Sequence, residues 1–137
     1  MNSKYKTVGF MKDNKTKGQV ESLISEALIK FEKEYMGRGP IETKTYLIKD
    51  MIFVRLKGVL TPAEEQLTKT VEGADLIKKI RVQLLENGRP LLQKIVLDVT
   101  GCQVKSLHTD ISTKTGERVI IFILEEDLEN KFSVDKE

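Results

Sequence analysis

Residues 104–124 read VKSLHTDISTKTGERVIIFIL, two extended segments around a Ser/Thr-rich turn closed by Gly116 and Glu117. Ahead of the turn the pattern alternates. Ser106, His108 and Asp110 share one face of a strand and Leu107 and Ile111 the other, because side chains repeat every second residue. Beyond the turn the chain is apolar at both parities, with Val119, Ile121 and Ile123 interleaved with Ile120, Phe122 and Leu124. The two segments, about 103–111 and 118–124, predict a β-hairpin. A half-exposed strand alternates, so the second one needs cover on both faces, from another part of this chain or from a second subunit.

Upstream, residues 75–99 carry Leu76, Ile77, Ile80, Leu84, Leu91, Ile95 and Val99 at helical spacing, with Gly101 as the stop. Gly88 and Pro90 are expected to kink or split that helix. A shorter helix starts at Thr61-Pro62-Ala63-Glu64, where Thr61 is the N-cap, Pro62 takes the first helical position and Glu64 completes a capping box. Residues 41–48 and 51–57, joined at Lys49-Asp50, predict another hairpin. Residues 19–35, with Val20, Leu23, Ile24, Ala27, Leu28, Phe31 and Tyr35 on one face, predict a helix that Gly37 ends. A helix, a glycine stop and a hairpin thus occur twice, a loose internal repeat. The expected fold is α+β: a four-stranded, mainly antiparallel sheet of two hairpins, with helices packed on one face. Residues 1–17 are read as a flexible N-terminal arm, 18–128 as a single α+β domain and 129–137 as a flexible C-terminal tail.

Composition narrows the function classes. The chain has 137 residues, 39% hydrophobic and 32% charged, with 23 basic and 21 acidic residues for a net charge of +2. That balance gives no general attraction to nucleic acid or anionic lipid. No strand interleaves aromatic with basic residues, so nucleic-acid binding is not expected. No apolar run approaches the roughly 18 residues of a membrane span, so direct membrane insertion is not expected either. Cys102 is the single cysteine, which excludes an intrachain disulfide and fits a reduced cytoplasmic location. It follows a helix C-terminus, where the dipole disfavours a thiolate, and is read as structural. One histidine and one thiol make a tetrahedral zinc site improbable. No metal and no cofactor is assigned.

Three blocks are familiar in combination: Gly37-Arg38-Gly39-Pro40, residues 50–64 (DMIFVRLKGVLTPAE) and residues 108–117 (HTDISTKTGE). With them the chain resembles the MpsC-like family over about residues 19–128. Arg38, Gly39, Pro40, Arg55, Gly58, Leu60, Thr61, His108, Asp110, Ser112, Thr113, Gly116 and Glu117 match the family-like blocks. The family's name implies an association with a bacterial sodium-translocating, membrane-potential-generating system, and related systems have been connected with inorganic carbon uptake. The resemblance implies an accessory component rather than the membrane pump, and it supplies no catalytic residues.

Side-chain chemistry alone marks candidate binding residues. His108 beside Asp110 is a pair able to act as a general base, with Ser106 or Ser112 as a nominal third member, though no G-x-S-x-G turn supports a hydrolase. The turn Ser112-Thr113-Lys114-Thr115-Gly116 offers hydroxyls, a cation and backbone N–H groups suited to phosphate, sulfate or bicarbonate, but lacks Walker spacing. Arg38 can present a guanidinium to an anion. Arg55 interrupts an apolar strand and needs a partner, expected to be Asp110 or Glu42, with Arg118 a second partner for Asp110. The candidate binding set is therefore Arg38, Arg55, His108, Asp110, Ser112, Thr113, Thr115, Gly116 and Glu117, with no catalytic residue assigned. The leading reading is a non-enzymatic accessory or regulatory protein, expected as a homodimer that contacts membrane-transporter subunits. A small-anion or nucleotide-phosphate-binding domain ranks second, and a hydrolase centred on His108 and Asp110 third.

Overall fold

The computed structural model describes residues 15–133. Helix α1, Lys17–Phe31, begins at Thr16, whose hydroxyl accepts from the Gln19 N–H (3.1 Å) while the Gln19 side chain accepts from the Thr16 N–H (2.9 Å). This reciprocal capping satisfies two donors that the first turn leaves open. Val20, Ile24, Leu28 and Phe31 form its buried stripe. The helix then widens into a single π turn, Glu32–Met36, and stops at Gly37, whose φ of 104° only glycine adopts without strain.

Strands β1 (Glu42–Ile48) and β2 (Met51–Lys57) form the first hairpin, and β3 (Val104–Ser112) and β4 (Glu117–Leu124) the second. They join through β2 and β4 into one antiparallel sheet of order β1-β2-β4-β3, as the α+β reading expects. On one face Leu47, Ile52, Val54, Leu56, Leu107, Ile111, Ile120, Phe122 and Leu124 are buried beneath the helices. The alternate residues face the other way and are half-buried or exposed.

Helix α2, Pro62–Leu67, carries the expected capping box at Thr61 and Glu64. Helix α3 differs from expectation. It is one unbroken helix, Val71–Thr100, starting where the Thr70 hydroxyl accepts from the Gly73 N–H (3.0 Å). Gly88 and Pro90 do not split it. Gly73, Ile77, Arg81, Leu85, Gly88, Leu92, Val96 and Thr100 are buried, so one stripe docks along the whole length and holds the helix together. Pro90 is exposed, where water can satisfy the carbonyl that its ring deprives of a donor.

The segment read as a fraying tail is folded as far as Ser133. Asp127 caps α4 (Leu128–Lys131), Leu128 and Phe132 lie in the core, and the Lys17 N–H donates to the Ser133 carbonyl (2.7 Å). Most of the proposed N-terminal arm, residues 1–14, and the last four residues of the tail lie outside the described residues.

Candidate functional site: a buried ion network and an open sheet face

Four charged side chains meet under the lower half of the sheet, and three are almost wholly out of water. Glu32, Arg81 and Arg118 are 0%, 1% and 2% exposed. The α1 stripe advances in steps of four from Val20 through Ile24 and Leu28, and the next step is Glu32, the first residue of the π turn. Arg81 lies between Ile77 and Leu85 on the α3 stripe, and Arg118 shares the inward parity of Ile120 and Phe122. Arg81 Nη1 lies 3.6 Å from Glu32 Oε1, and Arg118 Nε 3.7 Å from Glu32 Oε2. Arg81 also grips Glu64, with Nη2 to Oε1 at 2.6 Å and Nε to Oε2 at 3.1 Å, and Nη2 donates to the Val59 carbonyl (2.8 Å). Arg118 Nη1 donates to the Thr109 hydroxyl (3.1 Å).

The two carboxylates and two guanidiniums balance in charge, but their environments differ. Burial pushes the Glu32 carboxyl above its usual range, against the opposing pull of Arg118 and Arg81, and neither of its oxygens makes a hydrogen bond. Burial acts the same way on Glu64, yet the Arg81 hydrogen bond and the Thr61 N–H outweigh it and hold Glu64 below the usual range. Burial also lowers Arg118, with Glu32 opposing.

This network gathers all three sequence blocks at the 58–61 loop. The Gly116 carbonyl accepts from the Val59 N–H (3.1 Å), Arg38 Nη1 donates to the Leu60 carbonyl (2.9 Å), and Arg81 holds the Val59 carbonyl. Arg38 is therefore a strut between the end of α1 and the loop before α2. Gly116 sits at φ 74° where the hairpin turn touches that loop. Sequence reasoning missed Glu32 and Arg81 altogether and placed Glu64 only as a cap. The available signal was a charge falling in register on a stripe of core residues.

The remaining marked residues lie on the sheet's outer face or at the hairpin turn. Arg55 pairs with Glu117, not with Asp110 or Glu42, because Glu117 is the diagonal neighbour across β2 and β4. Asp110 pairs with Lys78 from α3 (3.4 Å), not with Arg118, whose parity sends its side chain to the opposite face. Its carboxyl is held below the usual range by the Ile111 N–H, with Lys78 adding to the effect. His108 is exposed, with Nε2 3.2 Å from the Ser106 hydroxyl. In the turn, the Ser112 hydroxyl accepts from the Thr115 N–H (3.2 Å), the Ser112 carbonyl from the Gly116 N–H (2.8 Å) and the Thr115 hydroxyl from the Glu117 N–H (3.3 Å). Those three N–H groups are satisfied within the turn. Beside it lies a shallow hollow of about 410 Å³, lined by Lys78, Lys114, Thr113, Asp110 and Glu117, with equal numbers of either charge. Cys102 is buried, its thiol pushed up by burial and opposed by Lys131, whose Nζ is 3.6 Å away.

The comparisons with known proteins bear on this whole frame. The family described as "Na+-translocating membrane potential-generating system (MpsC)" matches residues 16–126. The chain belongs to the MpsC family. Among its relatives, the uncharacterized protein YbcI of Bacillus subtilis (strain 168) is 50% identical over 115 residues, covering 84% of this chain and 93% of YbcI. The uncharacterized protein YrhF of the same organism is 22% identical over 108 residues, covering 78% of this chain and 88% of YrhF. No solved structure matches the chain significantly. The MpsC match spans every strand, the π turn and all four members of the ion network. Among the described residues, no helix is long and apolar enough to cross a membrane, and no group of three or more His, Cys, Asp or Glu side chains is placed to hold a metal ion.

Proposed function

We propose that this protein is a soluble, cytoplasmic, non-enzymatic accessory or regulatory component of a bacterial sodium-translocating or inorganic-carbon uptake system. The family description supports the association. The observation that carries the non-enzymatic half is where the polar residues of the three sequence blocks are committed. Arg38, Thr61, Glu64 and Gly116 bind the 58–61 loop or cap α2, so they build the frame. That frame presents contact surface outward: Tyr46 and Ile48 on the sheet and Leu76, Ile80 and Leu91 on α3 are each more than a third exposed. The protein then acts by touching other proteins. The test is a host strain lacking this chain, scored for sodium-dependent membrane potential with a voltage-sensitive dye. A fall in potential restored by the wild-type chain supports the reading, and an unchanged potential together with unchanged bicarbonate uptake refutes it.

The second reading takes the hollow beside the Ser112–Gly116 turn as an anion site, with Lys78 and Lys114 as its cations. Asp110 and Glu117 on the same walls oppose an anion, which places this reading behind the first. Thermal shift with phosphate, nucleotides and bicarbonate is its test, and no shift at millimolar ligand removes it.

A further inference from the structure

The sheet's outer face is a grid whose rows the strand register fixes. From the β1–β2 turn downward, the first row is Ile48, Met51, Ile123 and Ser106, and the second is Tyr46, Phe53, Ile121 and His108. The third row is Lys44, Arg55, Val119 and Asp110, and the last carries Glu42, Lys57, Glu117 and Ser112. Two features stand out. The upper rows are apolar across β1, β2 and β4, with Tyr46 47% and Ile48 43% exposed. The lower rows differ in net charge: the β1–β2 half carries Lys44, Arg55 and Lys57 against the single acid Glu42, and the β4–β3 half carries Glu117 and Asp110 with no base. Lys44 makes no ion pair among the described residues.

We infer that this face is the interface of a two-fold homodimer in which each β1 lies over the partner's β3 and each β2 over the partner's β4. The operator follows from the grid. A two-fold axis parallel to the strands, between β2 and β4, keeps every row at its own height and exchanges left with right. Phe53 then meets the partner's Ile121, Met51 the partner's Ile123, and Tyr46 the partner's His108. Lys44 meets the partner's Asp110, Lys57 the partner's Glu117 and Glu42 the uncharged Ser112 of the partner subunit, so the net basic half covers the acidic half. An axis across the strands fails, because it lays the apolar upper rows over the charged lower rows. Two sheets packed this way bury their inner side chains between layers about 10 Å apart, and a two-fold contact is the commonest assembly for a soluble chain.

The size is modest. With strands about 4.8 Å apart and same-face residues about 6.8 Å apart, the sixteen positions project to about 500 Å². That is the low end for a stable interface, so dissociation in the micromolar range is expected. The inference does not depend on the ion-translocating association, since purified protein decides it.

The experiment is mass by sedimentation equilibrium on the full chain from about 1 to 200 micromolar, with circular dichroism of each variant as the folding control. Wild type is expected to rise from the 15.6 kDa monomer towards twice that mass. Ile121→Asp should stay monomeric throughout. Lys44→Glu and Asp110→Lys should each weaken the dimer about tenfold or more, and the double variant should regain most of that loss because it restores opposite charges across the axis. A single 15.6 kDa species in wild type at every concentration overturns the inference. So does a dimer that folded Ile121→Asp leaves intact, and so does a charge swap without recovery.

Discussion

Replacing one member of the buried network should be far more damaging than replacing two of opposite sign. Glu32→Leu leaves Arg81 and Arg118 facing each other at 1% and 2% exposure, with Glu64 reaching only Arg81. Removing one partner of a buried pair typically costs about 3–5 kcal/mol, because the other charge is left uncompensated. Arg118→Met leaves the Glu32 carboxylate with Arg81 alone, at 3.6 Å and without a hydrogen bond. Its cost should lie near the lower bound, about 3 kcal/mol, since burial already favours proton uptake by Glu32. The double variant removes one charge of each sign, keeps the Arg81–Glu64 grip and fills the space with apolar atoms. A neutralised core of that kind is often neutral to stability, so its cost should stay below about 2 kcal/mol. Urea denaturation of the three variants and wild type gives the coupling energy directly. If the double variant loses the sum of the single losses within about 0.5 kcal/mol, the two sites are independent and the network is not a coupled unit.

Three further outcomes follow from particular contacts. Burial raises the Glu32 carboxyl above its ordinary value of 4.5, so above that value the native state binds more protons than the unfolded chain and stability falls as pH rises. Wild type should therefore gain urea resistance relative to Glu32→Gln between pH 7.5 and 5, and a constant difference would contradict the direction of the shift. Gly73→Ala should destabilise by about 2 kcal/mol despite alanine's better helix propensity, because the new Cβ overlaps the Leu67 carbonyl oxygen where α2 turns into α3; a raised melting temperature would show that this approach relaxes freely. Thr61→Ala should cost about 1 kcal/mol in a thermal melt, through the lost cap and the loosened Glu64, and an unchanged melting temperature would mean that Thr61 does not cap α2.

The sequence disclosed what is local and periodic. Strand parity gave the shared faces of Ile52, Val54 and Leu56 and of Leu107 and Ile111, and the Thr61–Glu64 spacing gave the start of α2, because each depends on neighbours a few residues away, whereas β4, apolar at both parities, did not disclose which set faces inward. Pro90 misled because its local veto on helix is weaker than a docked stripe running from Gly73 to Thr100. The ion network was hidden for a different reason. Its members come from the end of α1, the first turn of α2, about three turns into α3 and the first residues of β4, so no window of sequence contains two of them with a recognisable spacing. Each was nevertheless visible singly as a charge on a core stripe: Glu32 four residues after Leu28, Arg81 four after Ile77, and Arg118 two before Ile120. A lone buried charge is costly, and one acid with two bases on three inward stripes is already a demand that those stripes meet. The marked residues on the outer face pose the opposite problem. Arg55, Asp110 and Glu117 are paired within one chain, whereas the left–right difference in net charge beside Lys44 emerges only when the order β1-β2-β4-β3 is known. That order depends on the pairing of β2 with β4 across more than sixty residues, the one strand contact that neither hairpin pattern encodes. The surface from which a two-fold partner follows is thus a property of topology, while the residues composing it are properties of sequence.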